Sequence, residues 1–181
     1  ICRQQQKHEE GVGYLVKAKA IDLASSKTFS VPPSTDLLAE LASMYALAGK
    51  NAEAIREYDD LALYPGREIS ALQEMARLCD LVNDVDRARN AYRRAALRSK
   101  DPVAQLLQVG TLYRKRQQFS KEVEEYRALL EKYPKDPRVY SALASTYELL
   151  QQDEKAADTY RAALALDPKA IGNPTLRGHL A

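Results

Sequence analysis

The feature that most restricts the fold of this chain is a 34-residue repeat marked by tyrosine. The marking residues, 34 apart, are Tyr58, Tyr92, Tyr126 and Tyr160. A second set lies thirteen residues before each of them and consists of Tyr45, Cys79, Tyr113 and Tyr147. A fixed period of this length without insertions is typical of helical-repeat arrays. We therefore place four copies of the repeat at 35–68, 69–102, 103–136 and 137–170.

Each copy has the apolar pattern of two amphipathic helices. In copy four, the residues at i, i+3, i+4 and i+7 of one helical face are Tyr140, Leu143, Ala144 and Tyr147. A second apolar stripe begins at Ala156 and ends before Pro168. Between the two helices we expect a residue that tolerates positive φ, and the four copies offer Gly49, Asn83, Gln117 and Gln151.

Two positions of the repeat hold small residues, which lets the paired helix backbones approach closely. The eighth position of each copy holds Ala42, Ala76, Gly110 and Ala144, and the twentieth holds Ala54, Ala88, Glu122 and Ala156. Glu122 breaks this pattern. We expect either a looser contact between the two helices of copy three or a tilt by one residue that packs Val123 instead.

Taken together, these in-phase residues resemble the tetratricopeptide repeat over 35–170. The resemblance implies an all-α, right-handed superhelical solenoid of helix-turn-helix units. Departures from the family pattern are Glu122 at a small position, Cys79 at an aromatic position, and Gly66 and Lys100 where proline is common.

Both ends of the chain diverge from the repeat. Residues 1–34 are expected to form a divergent helix and a Ser/Pro-rich loop, with the loop at 25–33. Residues 171–181 are expected to form an extended tail, because Pro174 falls where a fifth copy would begin its first helix. The apolar flank of copy four would then be covered by a partner, by missing residues or by a second copy, so self-association is one alternative.

The resemblance also implies where a partner would bind, namely the concave groove lined by the first helices. From the family's groove positions we select Arg77, Asp80, Thr111, Arg114, Lys115, Arg138, Ser145 and Glu148. This surface is expected to be apolar at its start and basic in its middle. It suits a segment with apolar anchors and a few acidic residues.

A second basic cluster is expected on the second helix of copy two. Its members are Arg89, Arg93, Arg94 and Arg98. They form either a basic patch that binds phosphate, anionic lipid or RNA, or a set of ion pairs with nearby acids. We favour ion pairs, because few exposed aromatic residues are interleaved with the arginines as single-strand binding would need.

Composition and motifs argue against catalysis, cofactors and metal sites. The chain has 27 basic and 25 acidic residues, a net charge of +2, two cysteines and two histidines. It has no Gly-rich phosphate loop, nucleophile elbow or metal-ligand spacing, and no long apolar run that would span a membrane. We therefore expect no enzyme, no cofactor and no metal.

The sequence as a whole predicts a protein-interaction scaffold, adaptor or assembly factor. It would hold a partner protein in its groove or act as a subunit of a multi-protein complex. The alternative is an RNA-binding helical-repeat protein that uses the arginine-rich helix, although we do not expect nucleic acid as the main partner. A cytoplasmic or stromal location is the default, and membrane association would need an anchor or partner outside this chain.

Overall fold

The computed structural model describes residues 2–29 and 32–169, and all regular secondary structure in these ranges is helical. The helices are α1 (Cys2–Phe29), α2 (Thr35–Leu47), α3 (Asn51–Leu61), α4 (Glu68–Leu81), α5 (Val85–Ala96), α6 (Pro102–Arg114), α7 (Phe119–Lys132), α8 (Pro137–Leu149) and α9 (Asp153–Leu166). The chain divides after Ser99 into two compact units. Unit one contains α1 to α5, and unit two contains α6 to α9.

Several helices begin at a side chain that caps the free backbone amides of the first turn. The Ser34 hydroxyl accepts from the Leu37 amide ahead of α2, and Asp84 accepts from the Arg87 amide ahead of α5. Asp101 and Asp136 cap α6 and α8 in the same way, each followed by proline at the first helical position. These caps satisfy amides that have no partner within the helix.

The turn between the two helices of each copy contains a residue with positive φ. The four residues are Gly49 at 76°, Asn83 at 63°, Gln117 at 56° and Gln151 at 57°. These are the four residues that the sequence selects for this role, and the left-handed conformation is confirmed at each. It ends the first helix and turns the chain back along it.

The small residues of the repeat are buried where the paired helices meet. Ala42, Ala54, Ala76 and Ala88 have no exposed surface. In copy three, Gly110 lies directly beneath the ring of Tyr126. A Cβ atom on Gly110 would lie 2.2 Å from Tyr126 Cζ, which is closer than any tolerated contact. Glycine is therefore required at this position because the tyrosine ring occupies the space of a methyl group.

The N-terminal helix α1 packs on α2 through one face. Val12 is buried and forms a cluster with Leu15, Leu41 and Met44. Lys19 Nζ donates to Glu57 Oε2 of α3 at 2.5 Å. The predicted loop from residue 25 is wrong for its first part, because α1 continues to Phe29. The segment from Ser25 to Thr28 forms the last turn of α1. In this turn the Thr28 hydroxyl donates to the Ala24 carbonyl at 3.0 Å.

The four predicted copies each contain one helix pair, from α2 with α3 to α8 with α9. In copy three, Glu122 and Val123 are both buried. The expectation that Val123 packs in place of Glu122 is therefore wrong. The predicted tail at 171–181 lies outside the described residues.

The close contact at Gly110 gives a testable prediction. Gly110→Ala should destabilise the protein by about 1–3 kcal/mol, because the added methyl group cannot fit beside Tyr126. Gly13→Ala is the matched control, since Gly13 also lies within a helix but has no atom within 4 Å of the built Cβ. The control should gain up to about 1 kcal/mol. Urea unfolding of both variants measures the difference, and equal stability of the two would contradict the contact.

Candidate functional site

The predicted groove residue Arg114 lies at the end of α6 and forms hydrogen bonds to residues of two other helices. Its Nε donates to Glu122 Oε1 at 2.7 Å, and its Nη2 donates to Thr146 Oγ1 at 3.1 Å. Longer contacts run from Nη1 to Ser145 Oγ at 3.4 Å and from Nη2 to the Ala142 carbonyl at 3.5 Å. One side chain thus joins α6, α7 and α8 within unit two.

Glu122 is the buried partner that makes this arrangement necessary. Its side chain has no exposed surface, whereas that of Arg114 is 36% exposed. Glu122 Oε2 has no hydrogen-bond partner in the described part of the chain. A buried carboxylate is tolerated only with a compensating charge, and Arg114 supplies it. Burial raises the pKa of Tyr126, and the negative charge of Glu122 raises it further.

The sequence predicts Arg114 as a groove residue for a partner and marks Glu122 as an exception to the small-residue rule, but it does not pair the two. The signal for pairing is that copy three alone has arginine at its twelfth position and glutamate at its twentieth. The other copies combine Ala46, Asp80 or Glu148 with alanine.

Glu148 lies at the end of α8 and is held by a buried tyrosine. The Tyr160 hydroxyl donates to Glu148 Oε2 at 2.9 Å. Burial raises the pKa of Tyr160, and the hydrogen bond to Glu148 raises it further. Thr111, one turn before Arg114, donates its hydroxyl to the Gln108 carbonyl at 2.7 Å, and Lys115 is exposed. Unit two therefore brings Arg114, Ser145 and Glu148 to neighbouring parts of one surface.

Arg138, a third predicted groove residue, is enclosed by two carboxylates. Its Nη1 donates to Asp101 Oδ2 at 2.5 Å and its Nη2 to Asp136 Oδ2 at 2.7 Å. The bond from Arg138 lowers the pKa of both Asp101 and Asp136. Both aspartates also cap helices, so Arg138 ties the starts of α6 and α8 together within unit two.

In unit one, the predicted groove residues lie on α4. Arg77 Nε donates to Glu74 Oε2 at 2.8 Å, and Asp80 is partly buried near the end of the helix. The arginines Arg77, Arg114 and Arg138 all form intramolecular ion pairs. The expected basic middle of the groove is therefore largely compensated by the protein's own acids.

Two arginines of the second basic cluster, both on α5, form ion pairs. Arg89 Nη2 contacts Asp86 at 2.9 Å, and Arg94 Nη1 contacts Asp59 of α3 at 2.6 Å. Arg98 Nη1 donates to the Arg94 carbonyl at 3.5 Å, and Arg93 is exposed on the same helix. The partner Asp59 could not be named from the sequence, because it lies in the preceding copy.

Exposed leucines end three of the four first helices. Leu47, Leu81 and Leu149 are the last residues of α2, α4 and α8, and their exposed fractions are 60%, 67% and 48%. Lys115 occupies the equivalent position in copy three. Apolar side chains exposed at one recurring position offer contacts to a partner.

The described residues contain no group of three or more His, Cys, Asp or Glu side chains that could hold a metal ion. None of the described helices is long and apolar enough to cross a membrane.

Two shallow surface pockets lie in unit two. One is lined by Tyr133, Pro134, Lys135, Asp136, Pro137, Arg138 and Asp167, and the other by Gln117, Gln118, Phe119, Ser120, Lys121 and Leu150.

Sequence comparisons identify the repeats. Models described as tetratricopeptide repeat match residues 137–170 and 106–136. The general transcriptional corepressor ssn6 of Schizosaccharomyces pombe is 31% identical over an alignment of 160 residues, and the alignment covers 84% of this chain. The chain spans 14% of the length of that relative.

Solved structures show the same fold. The crystal structure of MamA superposes with a TM-score of 0.56 at 17% identity, covering 92% of each chain. The nearly identical TPR-like repeats of a Podosopora anserina protein, described as a kinesin light chain, give 0.54 at 18% identity, covering 94% of this chain and 93% of that one. The fold is thus an all-α helical-repeat solenoid. Residues 106–136 and 137–170 are tetratricopeptide repeats, and such repeats generally serve as protein-interaction scaffolds.

The buried ion pair gives a second prediction. Arg114→Ala should destabilise the protein by about 3–5 kcal/mol, because it leaves the Glu122 carboxylate buried without a counter-charge. The double variant Arg114→Ala/Glu122→Ala restores the residue types of copy one and should be more stable than Arg114→Ala alone. A urea double-mutant cycle should give a coupling energy of about 2 kcal/mol. Additive single effects would contradict the pairing.

Cys79 gives a third prediction. Burial raises the pKa of its thiol to about 11 from an ordinary value of 9.0. In a Cys2→Ser variant, alkylation of Cys79 at pH 8.5 should be at least roughly 100-fold slower in the native protein than in urea, because the thiolate is the reactive form. The folded state keeps its proton longer, so the free energy of unfolding should fall between pH 9 and 11. Equal alkylation rates in the two states would contradict the burial.

Proposed function

We propose that the protein is a non-catalytic scaffold that binds a segment of a partner protein along its first helices, as part of a larger complex. The observation that carries the proposal is the exposed leucine at the ends of α2, α4 and α8. The binding residues would be Leu47, Leu81 and Asp80 in unit one, and Thr111, Lys115, Ser145, Glu148 and Leu149 in unit two.

The ion pairs support apolar contacts as the main source of affinity. Arg77, Arg114 and Arg138 are already paired with acids of the same unit, so a partner carboxylate would have to compete for them. The buried part of an interface, where apolar and aromatic anchors fill pockets, usually supplies most of the binding energy. Arg89 and Arg94 of α5 are paired too, and this pairing does not favour the RNA alternative.

Crosslinking mass spectrometry on the complex purified through this chain tests the proposal. Lys50 follows Leu47 closely, and Lys115 occupies the leucine position of copy three, so both lysines should crosslink to one recurring partner protein. Leu47→Glu/Leu81→Glu should lower the recovery of that partner at least about tenfold, because a carboxylate at an apolar contact must be desolvated.

Leu63→Glu/Leu97→Glu is the matched control, since both leucines are highly exposed but follow the second helices α3 and α5. This control should retain the partner. Equal loss in both double variants, or recovery of nuclease-sensitive RNA with crosslinks on α5 instead of a protein, would contradict the proposal.

A further inference from the structure

Unit two contains a polar cluster with more negative than positive charge. Its members are Arg114, Glu122, Ser145, Thr146, Glu148 and Tyr160, which join α6, α7, α8 and α9. Two of these residues are carboxylates and one is a guanidinium. The buried Glu122 takes the strongest bond of Arg114, at 2.7 Å, and still has an oxygen without a partner.

Glu148 is the exposed carboxylate of this polar cluster. The other hydrogen bonds of Arg114 run to Ser145, Thr146 and the Ala142 carbonyl. Arg114 and Arg138 form their ion pairs with Glu122 and Asp136 rather than with Glu148. Glu148 Oε2 is fixed by the buried Tyr160 hydroxyl at 2.9 Å, while the residue itself is exposed. The carboxylate is therefore oriented by the protein and open to solvent.

The end of α8 adds to the negative potential at Glu148. The last turn of α8 contains no basic residue. A helix C-terminus carries partial negative charge, which a cation stabilises. The first turn of α9 adds Asp153 and Glu154. The nearest basic residue along the chain, Lys155, donates to Gln152 Oε1 at 3.0 Å and lies over the ring of Tyr147 at 5.9 Å.

An exposed apolar side chain lies next to this carboxylate. Leu149 follows Glu148 directly, and about half of its surface is exposed. Lysine and arginine combine an aliphatic stem with a charged end, so they match a leucine beside a fixed carboxylate. An acidic side chain would instead meet Glu148 and the helix terminus as like charges.

We infer that Glu148, fixed by Tyr160 and adjoining Leu149, receives a lysine or arginine side chain of the bound partner segment. This inference rests on the proposed scaffold function and specifies the chemistry of the segment that contacts unit two. It reverses the sequence-based expectation of an acidic segment for this part of the surface, because Arg114 is committed to Glu122.

A phage-displayed library of random 12-residue peptides, selected on the immobilised full chain, tests the inference. Peptides that bind the wild type but not Leu149→Ala should be enriched in lysine or arginine next to an apolar residue. By fluorescence anisotropy, such peptides should bind Glu148→Gln about fivefold more weakly. Glutamine retains an oxygen that can accept from Tyr160, so this variant changes charge more than packing. Glu131→Gln, an exposed acid on α7 outside this cluster, is the matched control and should bind as the wild type.

Charge reversal provides the decisive comparison. A selection on Glu148→Lys should replace the enriched basic residues by aspartate or glutamate. The inference would be overturned by acidic enrichment on the wild type, by unchanged enrichment on Glu148→Lys, or by no enriched peptide at all. A native partner that crosslinks to Lys115 but places no basic residue at Glu148 would overturn the inference alone. Recovery of no partner protein would overturn the scaffold function itself.

Discussion

The fold depends on the close approach of the two helices of each repeat. Alanine at the eighth and twentieth positions of a copy gives this approach, and Ala42, Ala54, Ala76 and Ala88 are fully buried at the resulting contacts. Neighbouring aromatic and aliphatic side chains fill the remaining space. Since each helix pair is too small to bury its own apolar faces, the same contacts also allow the pairs to stack within each unit.

Copy three reaches a packed interior by different chemistry. Gly110 makes room for the ring of Tyr126, and Glu122 fills the position of a small residue with a buried carboxylate. Such a charge is costly unless it is paired, and Arg114 pairs it while bonding to the next helix pair. Arg114, which the sequence predicts as a contact for an external ligand, is therefore needed for an intramolecular ion pair. Glu148 is the exposed charged residue that remains on this part of the surface.

The sequence predicts interactions between residues that are close along the chain, but it does not predict those between distant residues. Helix pairs, caps and positive-φ turns depend on residues a few positions apart, so Asn83 and Gln117 could be assigned correctly. The contact between Arg94 and Asp59 crosses two copies, and no local pattern encodes it. The bond from Tyr160 to Glu148 joins two helices of one copy, and the repeat pattern marks this tyrosine without indicating its partner. The site is harder to predict than the fold because its charges are set by these longer-range pairs.

The central claim is that Arg114 is held by Glu122 rather than free for a ligand. The most direct test is the side-chain Nε–H resonance of Arg114 in a nitrogen-15 NMR spectrum at neutral pH. The bond of 2.7 Å to a fully buried carboxylate predicts a slowly exchanging resonance that disappears in Glu122→Ala. Hydrogen exchange as fast as that of an arginine in an unfolded chain would contradict the account.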